Sequence, residues 1–531
     1  MKFKELTAEQ IAQAKKIYWN TEIAWDERMK LLMDLFGKSE RTVRKWCSEK
    51  LGFKEQVEIE SEQYETAKQK KYDKTKSRFI ITWAQNNTPV HGKFFDNIKA
   101  YAEFIGADIH VIAGRYKNPT SVFQDSDQEF WHKDLLPYLD AGRHNIHKYM
   151  SIMSDIKIQP TAVNPMSGLQ AVSGINSSIF GAPKVQLEMI SVLQGNKPKT
   201  MLTTGAVTLM NYTDSKSGKK GEFHHTYGFA IVEIKDKETF YVRQVTANDN
   251  TGGFTDLCYK VENSVVEKVN TIAAAVLGDI HYGNHDQDVL DVTHDFLSKI
   301  IPDNVILHDV FDGSSINHHE MADAYKQYAK EVHNTNSLQK EIDEMMDGLN
   351  LFRDYRNVVI VRSNHDDFLD RWLRNQDWKK QPTPKNNKLY MQYSAMLLEQ
   401  YELDEHRVKG IIPQLINDKF PKFITLSRND SYKVKNWELA QHGDLGTNGS
   451  RGSLNQFRTL NTKIVVGHYH SPGRKDGALS VGTSTKLRMG YNNGPSTWAQ
   501  SHVLIHQDGR AQHIIFVKDS NNKIGFTTFE I

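Results

Sequence analysis

Short apolar runs alternate with longer, helix-like stretches through the C-terminal half of the chain. Four of these runs predict buried β-strands, at 273–277, 305–307, 358–361 and 464–466. The residues at 286–299 and 320–352 carry apolar positions at helical spacing. Strands that alternate with helices are typical of an α/β fold, so we predict such a domain over residues 271–531.

The middle of the chain shows the same alternation with more strands. Residues 78–83 and 108–113 are strand-like and flank a helix-like stretch, which predicts a βαβ unit. Three further strand-like segments lie at 200–209, 227–234 and 240–245. We therefore predict an α/β accessory domain over 76–270. Its histidines match no metal-binding spacing apart from the adjacent pair His224-His225, so structural roles are expected for most of them.

The first part of the chain, residues 1–75, shows helix-like spacing and predicts a small helical domain. A glycine-containing turn that ends at Ser39, a good N-cap, separates a helix at 23–36 from a basic helix at 40–51. This order is the outline of a helix-turn-helix, whose second helix contacts DNA. The candidate DNA contacts are Arg41, Arg44 and Lys45. The alternative is a helical bundle whose charged face is simply solvated.

Composition narrows the classes of protein without choosing among them. A chain of 531 residues, 39% hydrophobic and 25% charged, should fold into roughly two to four domains. The formal net charge of +2 gives no bulk attraction to nucleic acid, so any basic surface must come from local patterning. Cys47 and Cys258 lie far apart, and neither a signal peptide nor a membrane-spanning run of about 20 apolar residues is recognised. We expect a protein of the reducing cytoplasm.

Side chains that bind divalent metals follow the predicted strands of the C-terminal half. In order, the segments are Asp279-x-His281, Asp309-x-x-Asp312, Asn364-His365-Asp366, His442 and His468-x-His470. All but the fourth follow a predicted strand, and open α/β sheets place their sites at such strand ends. Residues two apart in an extended segment point the same way, so Asp279 and His281 can reach one metal. Carboxylates, one amide and several imidazoles suit Mn, Fe, Zn, Ni or Co.

The five segments in this order resemble the calcineurin-like metallophosphoesterase superfamily. Its pattern is Asp-x-His, Gly-Asp-x-x-Asp, Gly-Asn-His-Asp/Glu, a single His and Gly-His-x-His, and the resemblance covers roughly residues 271–500. Each segment alone is a weak signal, but the five together are specific. The resemblance implies a β-sandwich flanked by helices, and a two-metal chemistry that the nucleases of DNA break repair share.

The resemblance also implies a role for each matched residue. One metal would be held by Asp279, His281, Asp309 and His470, and the other by Asp309, Asn364, His442 and His468. A hydroxide that bridges the two metals would attack phosphorus in line. His365 would protonate the leaving oxygen, Asp366 would fix its tautomer, and Asp312 would organise its loop. Manganese is the favoured metal, with Fe, Zn, Ni and Co as alternatives.

Two positions depart from the family pattern, and one segment imitates it. His308 and Ser363 stand where the pattern has glycine, so these loops should be shaped differently. We interpret His308 as a packing residue, with an extra role in the site as the alternative. The residues at 283–286 spell Gly-Asn-His-Asp before any second strand has passed, so we favour Asn364 as the ligand and leave His285 as a residue that lines the site.

Cationic residues near the last two segments are candidates for phosphate contacts. They are Arg451, Arg474 and Arg488. Arg451 belongs to the glycine-rich stretch 443–452, whose backbone N–H groups can also face an anion. A solvated surface position is the alternative for each of the three.

The function predicted from these segments is phosphodiester hydrolysis, with DNA as the favoured substrate and partner. The helix-turn-helix outline and the large accessory domain favour a metal-dependent DNA nuclease. In size and arrangement the chain is similar to phage-encoded nucleases that act in DNA transfer and degrade host DNA, which would place it in the host cytoplasm. The alternatives are a phosphatase or phosphodiesterase acting on a phosphoprotein or small nucleotide, and a DNA-binding scaffold with an inactive site. The oligomeric state, including a homo-oligomer, is left open.

Overall fold

The computed structural model describes residues 3, 6–20, 23, 25–51, 53, 70–114, 130–490 and 492–529. Its helices are α1 (Ala8–Tyr18), α2 (Trp25–Phe36), α3 (Glu40–Lys45), α4 (Gly92–Ile105), α5 (Lys216–His224), α6 (Gln287–Lys299), α7 (Ala324–Val332), α8 (Leu338–Asn350), α9 (Asp366–Asn375), α10 (Asn387–Leu403), α11 (Ile411–Lys419) and α12 (Leu454–Phe457). Within the described residues, no helix is long and apolar enough to cross a membrane.

Most of the strands are short. In chain order they are β1 (Arg78–Gln85), β2 (Asp108–Gly114), β3 (Leu139–Asp140), β4 (Arg143–His147), β5 (Met150–Met153), β6 (Ser177–Phe180), β7 (Gln186–Ile190), β8 (Lys199–Thr203), β9 (Gly228–Ile234), β10 (Phe240–Thr246), β11 (Phe254–Asp256), β12 (Tyr259–Glu262), β13 (Val265–Lys268), β14 (Thr271–Ile272), β15 (Ala274–Val276), β16 (Ile301–Pro302), β17 (Val305–His308), β18 (Val358–Val361), β19 (Ile424–Thr425), β20 (Lys433–Val434), β21 (Trp437–Glu438), β22 (Lys463–Val466), β23 (Gly473–Lys475), β24 (Ala478–Ser480), β25 (Ser501–Ile505), β26 (Ala511–Ile515), β27 (Val517–Lys518) and β28 (Ile524–Gly525).

A six-stranded sheet with the order β19-β18-β17-β15-β25-β26 lies at the centre of the C-terminal half. Strands β15, β17, β18 and β19 run parallel, and β25 pairs antiparallel with β15. Successive residues point to opposite faces: Leu307 and Ile360 join a core on the helix side, while Ile306 and Val359 join a second core. Burial on both faces explains why these strands are continuous apolar runs in the sequence. The predicted α/β class fits this arrangement.

A ten-stranded sheet with the order β20-β21-β22-β24-β23-β7-β8-β6-β5-β4 forms the next layer. Its part built from β20–β24 shares the second core with the six-stranded sheet, through residues such as Val465 and Leu479. Strands β4–β8 come from the predicted accessory domain, and they join the others where Leu187 of β7 pairs with Arg474 of β23. The predicted boundary at residue 270 stays a prediction, but residues on both sides of it build one sheet.

The βαβ unit predicted in the middle region is confirmed. Strands β1 and β2 pair in parallel, from Phe79 opposite Asp108 to Gln85 opposite Gly114, and α4 connects them. They belong to the five-stranded sheet β10-β9-β1-β2-β3. The strand predicted at 200–209 is too long, because β8 ends at Thr203 and Gly205 turns the chain with a φ of 85°.

The single helix predicted at 320–352 is wrong, because the chain forms α7 and α8 with a break between them. Asn334 has a φ of 51°, a left-handed conformation that cannot continue an α-helix. Ser337 then starts α8, since its side chain accepts a hydrogen bond from the backbone N–H of Lys340. No glycine or proline marks the break, but five polar residues, at 333–337, interrupt the apolar spacing there.

The N-terminal helices have the predicted order of helix, turn and basic helix, with α2 before the turn and α3 after it. Arg44 is committed to protein contacts: its Nη2 lies 2.8 Å from Glu40 Oε1 and 3.9 Å from Glu222 Oε2 of α5. This corrects its predicted role as a DNA contact, because the face of α3 that carries Arg44 rests on α5. Arg41 and Lys45 are exposed.

Candidate metal centre

The predicted ligands follow the ends of neighbouring parallel strands. Asp279 and His281 come just after β15, Asp309 comes directly after β17, and the segment beginning at Asn364 comes after β18. The first two loops are tied together, because the backbone N–H of His281 donates to the carbonyl of Asp309 at 2.7 Å. Parallel strands end at one edge of a sheet, so these loops share one place in the fold. His468 and His470 reach it from the end of β22 in the facing sheet.

The backbone is left-handed at four of the predicted ligands. The φ angles are 49° at His281, 46° at Asp309, 72° at His468 and 53° at His470. Non-glycine residues in this region cost about 1–3 kcal/mol each and persist where the surroundings hold them. Strain gathered at one point of the fold indicates that these side chains are aimed at a common target.

Four of the predicted ligands lie within reach of a single ion. His470 Nε2 is 3.2 Å from both His281 Nε2 and Asp279 Oδ2, and His281 Nε2 is 3.3 Å from Asp309 Oδ2. One ligand atom from each of the four residues lies within 4.8 Å of all the others. The set that the resemblance implied for the first metal is therefore assembled as a group that could hold a metal ion.

The remaining predicted ligands are His442, His468 and Asn364. His442 Nε2 is 3.1 Å from Asp309 Oδ2, and the rings of His442 and His468 are 5.3 Å apart. The Oδ1 atom of Asn364 is buried and has no hydrogen-bond partner among the described residues. We call the seven predicted ligands the strand-end cluster: Asp279, His281, Asp309, Asn364, His442, His468 and His470.

Buried polar atoms without partners distinguish the strand-end cluster. Asp279 is fully buried, its Oδ1 accepts no hydrogen bond from any described residue, and its Oδ2 has only the His470 imidazole, 3.2 Å away. Asp309 Oδ1 and His470 Nδ1 also lack a partner among the described residues, and His442 Nε2 has only the Asp309 carboxylate, 3.1 Å away. A buried polar group without a partner costs roughly 1–3 kcal/mol, so several of them in one place call for an absent partner. Carboxylate, imidazole and amide donors with no thiolate fit a divalent cation.

The protonation energetics of the cluster also favour a cation. Burial alone would raise the pKa of Asp309, but the imidazoles of His442, His365 and His281 hold it well below its usual value. Burial alone would lower the pKa of His442, but Asp309 and Asp279 raise it to about 9. The carboxylates thus stay ionised and draw positive charge into a buried site, which a divalent cation can supply.

His365 lies beside the ligands and is held by a backbone carbonyl. Its Nδ1 is 2.6 Å from the carbonyl oxygen of Asp312, its ring centroid is 4.5 Å from that of His281, and it stacks on Phe368. A carbonyl can only accept, so Nδ1 carries the proton and donates. Burial lowers the pKa of the His365 imidazole.

Asp366 does not fix the tautomer of His365, which corrects the prediction from the sequence. Its carboxylate instead accepts from the backbone N–H of Ser363 at 2.9 Å, while its own N–H donates to Ser363 Oγ at 3.1 Å. Burial raises the pKa of Asp366 to about 6. Asp366 therefore shapes the loop at the end of β18 and begins α9.

Asp312 has a closer connection to the ligands than the sequence indicated. Its Oδ1 lies 3.1 Å from His281 Nδ1, and its Oδ2 accepts a hydrogen bond from Asn284 at 3.0 Å. Metal-binding histidines commonly hold a carboxylate with their second nitrogen, which orients the ring. That habit is the signal by which Asp312 could have been recognised. Asn284 belongs to the segment 283–286 that imitates the family pattern, so this segment supports the site through Asp312. His285 of the same segment instead contacts Gln287 at 3.0 Å.

His308 lies inside the site, so interpreting it only as a packing residue is incomplete. It is fully buried, its Nδ1 is 3.5 Å from His442 Nδ1, and its Nε2 has no partner among the described residues. With Asp279 and His442 it forms a second group that could hold an ion. Burial lowers its pKa to about 4, so the ring is neutral. Gly467 makes room for it, since a Cβ there would lie 3.0 Å from the His308 ring.

The three arginines proposed as phosphate contacts are not brought together. Arg451 is exposed in the glycine-rich stretch, and Arg488 donates to the carbonyls of Asn492 and Gly494 in its own loop. Arg474 lines a different cavity, whose lining includes none of the strand-end cluster.

The sequence analysis missed two arginines beside the cluster. Arg362 and Arg428 line a cavity of about 210 Å³ that also contains His442. Arg428 bridges Asp367 at 2.7 Å and Asp444 at 2.6 Å. Neither arginine has a spacing that marks it in the sequence, although Arg362 follows directly on β18 and so shares its strand end with Asn364.

The fold and the cluster define a layered α/β protein whose strand ends gather a buried group of Asp and His that could hold a metal ion. The chain is 30% identical over 472 residues to protein A1 of Escherichia phage T5, which covers 83% of this chain and 82% of that protein. The chain belongs to the protein A1 family, and this relationship points to a phage origin. No protein-family model matches the chain, and no solved structure matches it.

Proposed function

We propose that the chain is a phosphodiesterase that depends on two divalent metal ions and cleaves DNA during phage infection, with host DNA in the host cytoplasm as its substrate. The observation that carries this proposal is the strand-end cluster, whose buried carboxylate, amide and imidazole atoms lack partners on a strained backbone. An inactive scaffold would have no reason to maintain that cost.

We assign the donor atoms to two cations that would share Asp309. Asp279, His281 and His470 would hold one ion, since these residues and Asp309 form a group that could hold a metal. Asn364, His442 and His468 would hold the other, as the resemblance implies; manganese is the favoured metal, with Fe, Zn, Ni and Co as alternatives. His308 is a further donor beside His442. The two ions would supply Lewis acidity to the attacking and leaving oxygens of an in-line displacement.

His365 is positioned to move the proton that the leaving oxygen requires. Its Nδ1 donates to the carbonyl of Asp312, so the second proton of the imidazolium form would lie on Nε2. That proton would pass to the leaving oxygen, and the lowered pKa of His365 makes it easy to give up. Phe368, stacked on the ring, restricts its rotation. Arg362 and Arg428 line a cavity with His442, but Asp367, Asp370 and Asp444 pair with them. A phosphodiester anion would therefore compete with these carboxylates for the two guanidinium groups.

Membership of a phage protein family supports DNA as the substrate, while one observation supports a smaller ester. The cavity beside His442 is only about 210 Å³, a size that suits a small nucleotide or phosphorylated side chain. A phosphatase or phosphodiesterase acting on such a compound is therefore the second candidate.

Cleavage assays with the full chain separate these candidates. Purified protein in Mn²⁺ is incubated with linear DNA, supercoiled DNA and bis(p-nitrophenyl) phosphate, and Asp309→Asn serves as the inactive control. We expect both DNA forms to be degraded by the wild type only. Hydrolysis of the small diester with intact DNA would establish the second candidate, and no hydrolysis of any substrate by the wild type would contradict the proposal.

A further inference from the structure

A second cavity lies between the middle and C-terminal regions, and its lining contains no residue of the strand-end cluster. It has a volume of about 620 Å³. Its walls come from the ends of α5 and β10, from β22 and β23, and from the turn before β26. Five Lys or Arg and three Asp residues line it, which leaves a charge of +2 with the histidines neutral. The cations are Lys184, Arg458, Lys463, Arg474 and Arg510, and the acids are Asp249, Asp476 and Asp508.

One side of this cavity is electrostatically satisfied. Asp476 lies 2.6 Å from Lys184 Nζ, 3.6 Å from His224 Nδ1 and 3.9 Å from Arg458 Nε. Two cationic groups, Lys184 and Arg458, therefore share one carboxylate with a neutral imidazole beside it, so Asp476 has no charge left for the opposite wall.

The other side holds a surplus of positive charge, centred on Arg474. This side chain is 9% exposed, and its Nε is buried without a hydrogen-bond partner. In the part of the chain that the structure describes, no carboxylate lies within 4.0 Å of the Arg474 guanidinium or of Lys463 Nζ. The neighbouring Arg510 has only a distant carboxylate, Asp508, at 3.9 Å.

Burial and the positive charges of their neighbours lower the pKa values of Arg474 and Lys463. Burial and the neighbouring Arg510 lower the pKa of Arg474 to about 10. Burial, Arg474 and Arg510 lower the pKa of Lys463, and Asp249 opposes them only in part. Leaving a buried guanidinium without a counter-charge is expensive, so this wall calls for an anion from outside the chain.

The remaining lining indicates what kind of anion fits. Phe223 is 84% exposed, and His224 meets its ring edge-on at 4.9 Å. An exposed aromatic ring at a cationic cavity can stack on a nucleobase, and a cavity of this volume is of the size that holds a small ligand.

We propose that this cavity is a phosphate-binding site that takes a nucleotide, with Arg474, Lys463 and Arg510 on the phosphate and Phe223 on the base. The site is separate from the metal ligands, so it is independent of the proposed hydrolysis. The phosphate can belong to a free nucleotide or to a nucleic acid strand, since both present the same group.

The test measures binding to the full chain in EDTA, where the strand-end cluster contributes no metal-dependent binding. Equilibrium dialysis is carried out with inorganic phosphate, dAMP and a ten-residue oligothymidylate as separate probes. We expect Arg474→Met to weaken the binding of dAMP at least tenfold. Lys475→Met removes the same charge from the next residue of β23, which contacts Asn455 instead, and should leave the affinity within twofold.

Further variants keep the result interpretable. Thermal melting of Arg474→Met should show no loss of stability, because the variant removes an unpaired buried charge. If that variant does not fold, Lys463→Met takes its place with the same expected loss of affinity. Phe223→Ala should weaken dAMP but not inorganic phosphate.

The choice of probe identifies the source of the phosphate. If dAMP binds and depends on Arg474, the source is a free nucleotide; if only the oligonucleotide does so, the source is a strand. Either result supports the site. The proposal is overturned if no probe binds, or if Arg474→Met and Lys475→Met have the same affinities.

Discussion

Two buried groups of Asp and His in this protein have similar composition and opposite character. The strand-end cluster lies at the edge of the six-stranded sheet. The second group, which we call the Asp140 cluster, consists of Asp108, His110, Asp140 and His144 beside β2–β4. In the Asp140 cluster, Oδ1 of Asp140 accepts from His144 at 2.7 Å and from the Gly142 N–H at 3.0 Å, and Oδ2 accepts from Ser154 at 2.9 Å.

The difference lies in hydrogen bonding and backbone, not in residue type. Both carboxylate oxygens of Asp140 have donors, whereas Oδ1 of Asp279 has none among the described residues and its Oδ2 has only the His470 imidazole. His110 and His144 lie in ordinary strands, whereas His281 and His470 have left-handed backbones. The Asp140 cluster is not fully satisfied either, because His110 Nδ1 is buried without a hydrogen-bond partner and lies 3.7 Å from Asp140 Oδ2. A group whose carboxylate is satisfied stabilises a fold, whereas a strained group with unpaired carboxylate oxygens is arranged for a partner.

Removing the shared carboxylate of the strand-end cluster should have the largest effect. Asp309→Asn should lower phosphodiester cleavage by on the order of 10³-fold or more, because Asp309 Oδ2 contacts both His281 and His442. Bound metal, measured by mass spectrometry after dialysis against Mn²⁺, should fall with it. Asp140→Asn is the matched control and should keep the metal content of the wild type. Equal loss of metal in both variants would erase the distinction.

Replacing His365 should separate catalysis from metal binding. His365→Ala should lower the cleavage rate about 10²–10⁴-fold and leave the metal content unchanged, because His365 is expected to transfer a proton and not to bind an ion. Steady-state rates and metal analysis on one preparation check this. Full activity in His365→Ala would remove it from the mechanism.

Asp312 should act on metal affinity through His281. Asp312→Ala should weaken metal binding about 10–100-fold, since the carboxylate next to His281 Nδ1 orients that ring. Raising the Mn²⁺ concentration should restore most of the cleavage rate. If excess metal restores nothing, Asp312 has a role beyond holding His281.

The Asp140 cluster should affect stability and its dependence on pH. Burial alone would raise the pKa of Asp140, but His110 and His144 lower it to about 2, against an ordinary value of 3.8. A carboxyl whose pKa is lower in the folded state stabilises the fold fully above pH 4 and loses that contribution as the pH falls towards 2. The contribution is about 2 kcal/mol.

Urea unfolding at pH 6 and at pH 3 checks this prediction. The free energy of unfolding of the wild type should fall more than that of Asp140→Asn between the two values. Cleavage at pH 7 by Asp140→Asn, measured well below its melting temperature, should stay near that of the wild type. A parallel decline of stability in the two proteins would show that Asp140 does not carry the acid sensitivity.

We expect the smallest effect from the partly exposed ion pair of Arg44, which lies outside both clusters. Arg44→Ala should cost at most about 1 kcal/mol in unfolding free energy and should not change DNA affinity, because Arg44 contacts Glu40 and Glu222. Filter binding with Arg41→Ala as a comparison measures this. A loss of affinity specific to Arg44→Ala would restore the helix-turn-helix prediction at that residue.

The sequence predicted features that depend on local pattern. The parallel strands β15, β17 and β18 are continuous apolar runs, and the ligand types at their ends indicated one shared site. His308 could not be placed, because whether a buried imidazole faces the core or the cluster depends on the turn after β17. The role of Asp366 was wrong because a backbone carbonyl, at Asp312, competes for His365, and no side-chain pattern reports it.

Long-range pairing was beyond the sequence, whereas the break between two helices had a local signal. The ten-stranded sheet depends on the pairing of Leu187 with Arg474, residues far apart in the chain, and no periodicity specifies that contact. The same pairing explains why Arg474, on β23, lines the second cavity. The break between α7 and α8 falls at the left-handed Asn334, inside the polar run 333–337, which the helical spacing on both sides obscured.

Anomalous X-ray scattering at the manganese edge, from crystals of the full chain grown with Mn²⁺, can locate bound metal directly. We expect two anomalous peaks beside the Asp309 carboxylate, with Asp279, His281 and His470 around one and Asn364, His442 and His468 around the other. We expect no peak at the Asp140 cluster. A strand-end cluster without manganese, or manganese bound beside Asp140 instead, would show that the strand-end cluster is not a metal centre.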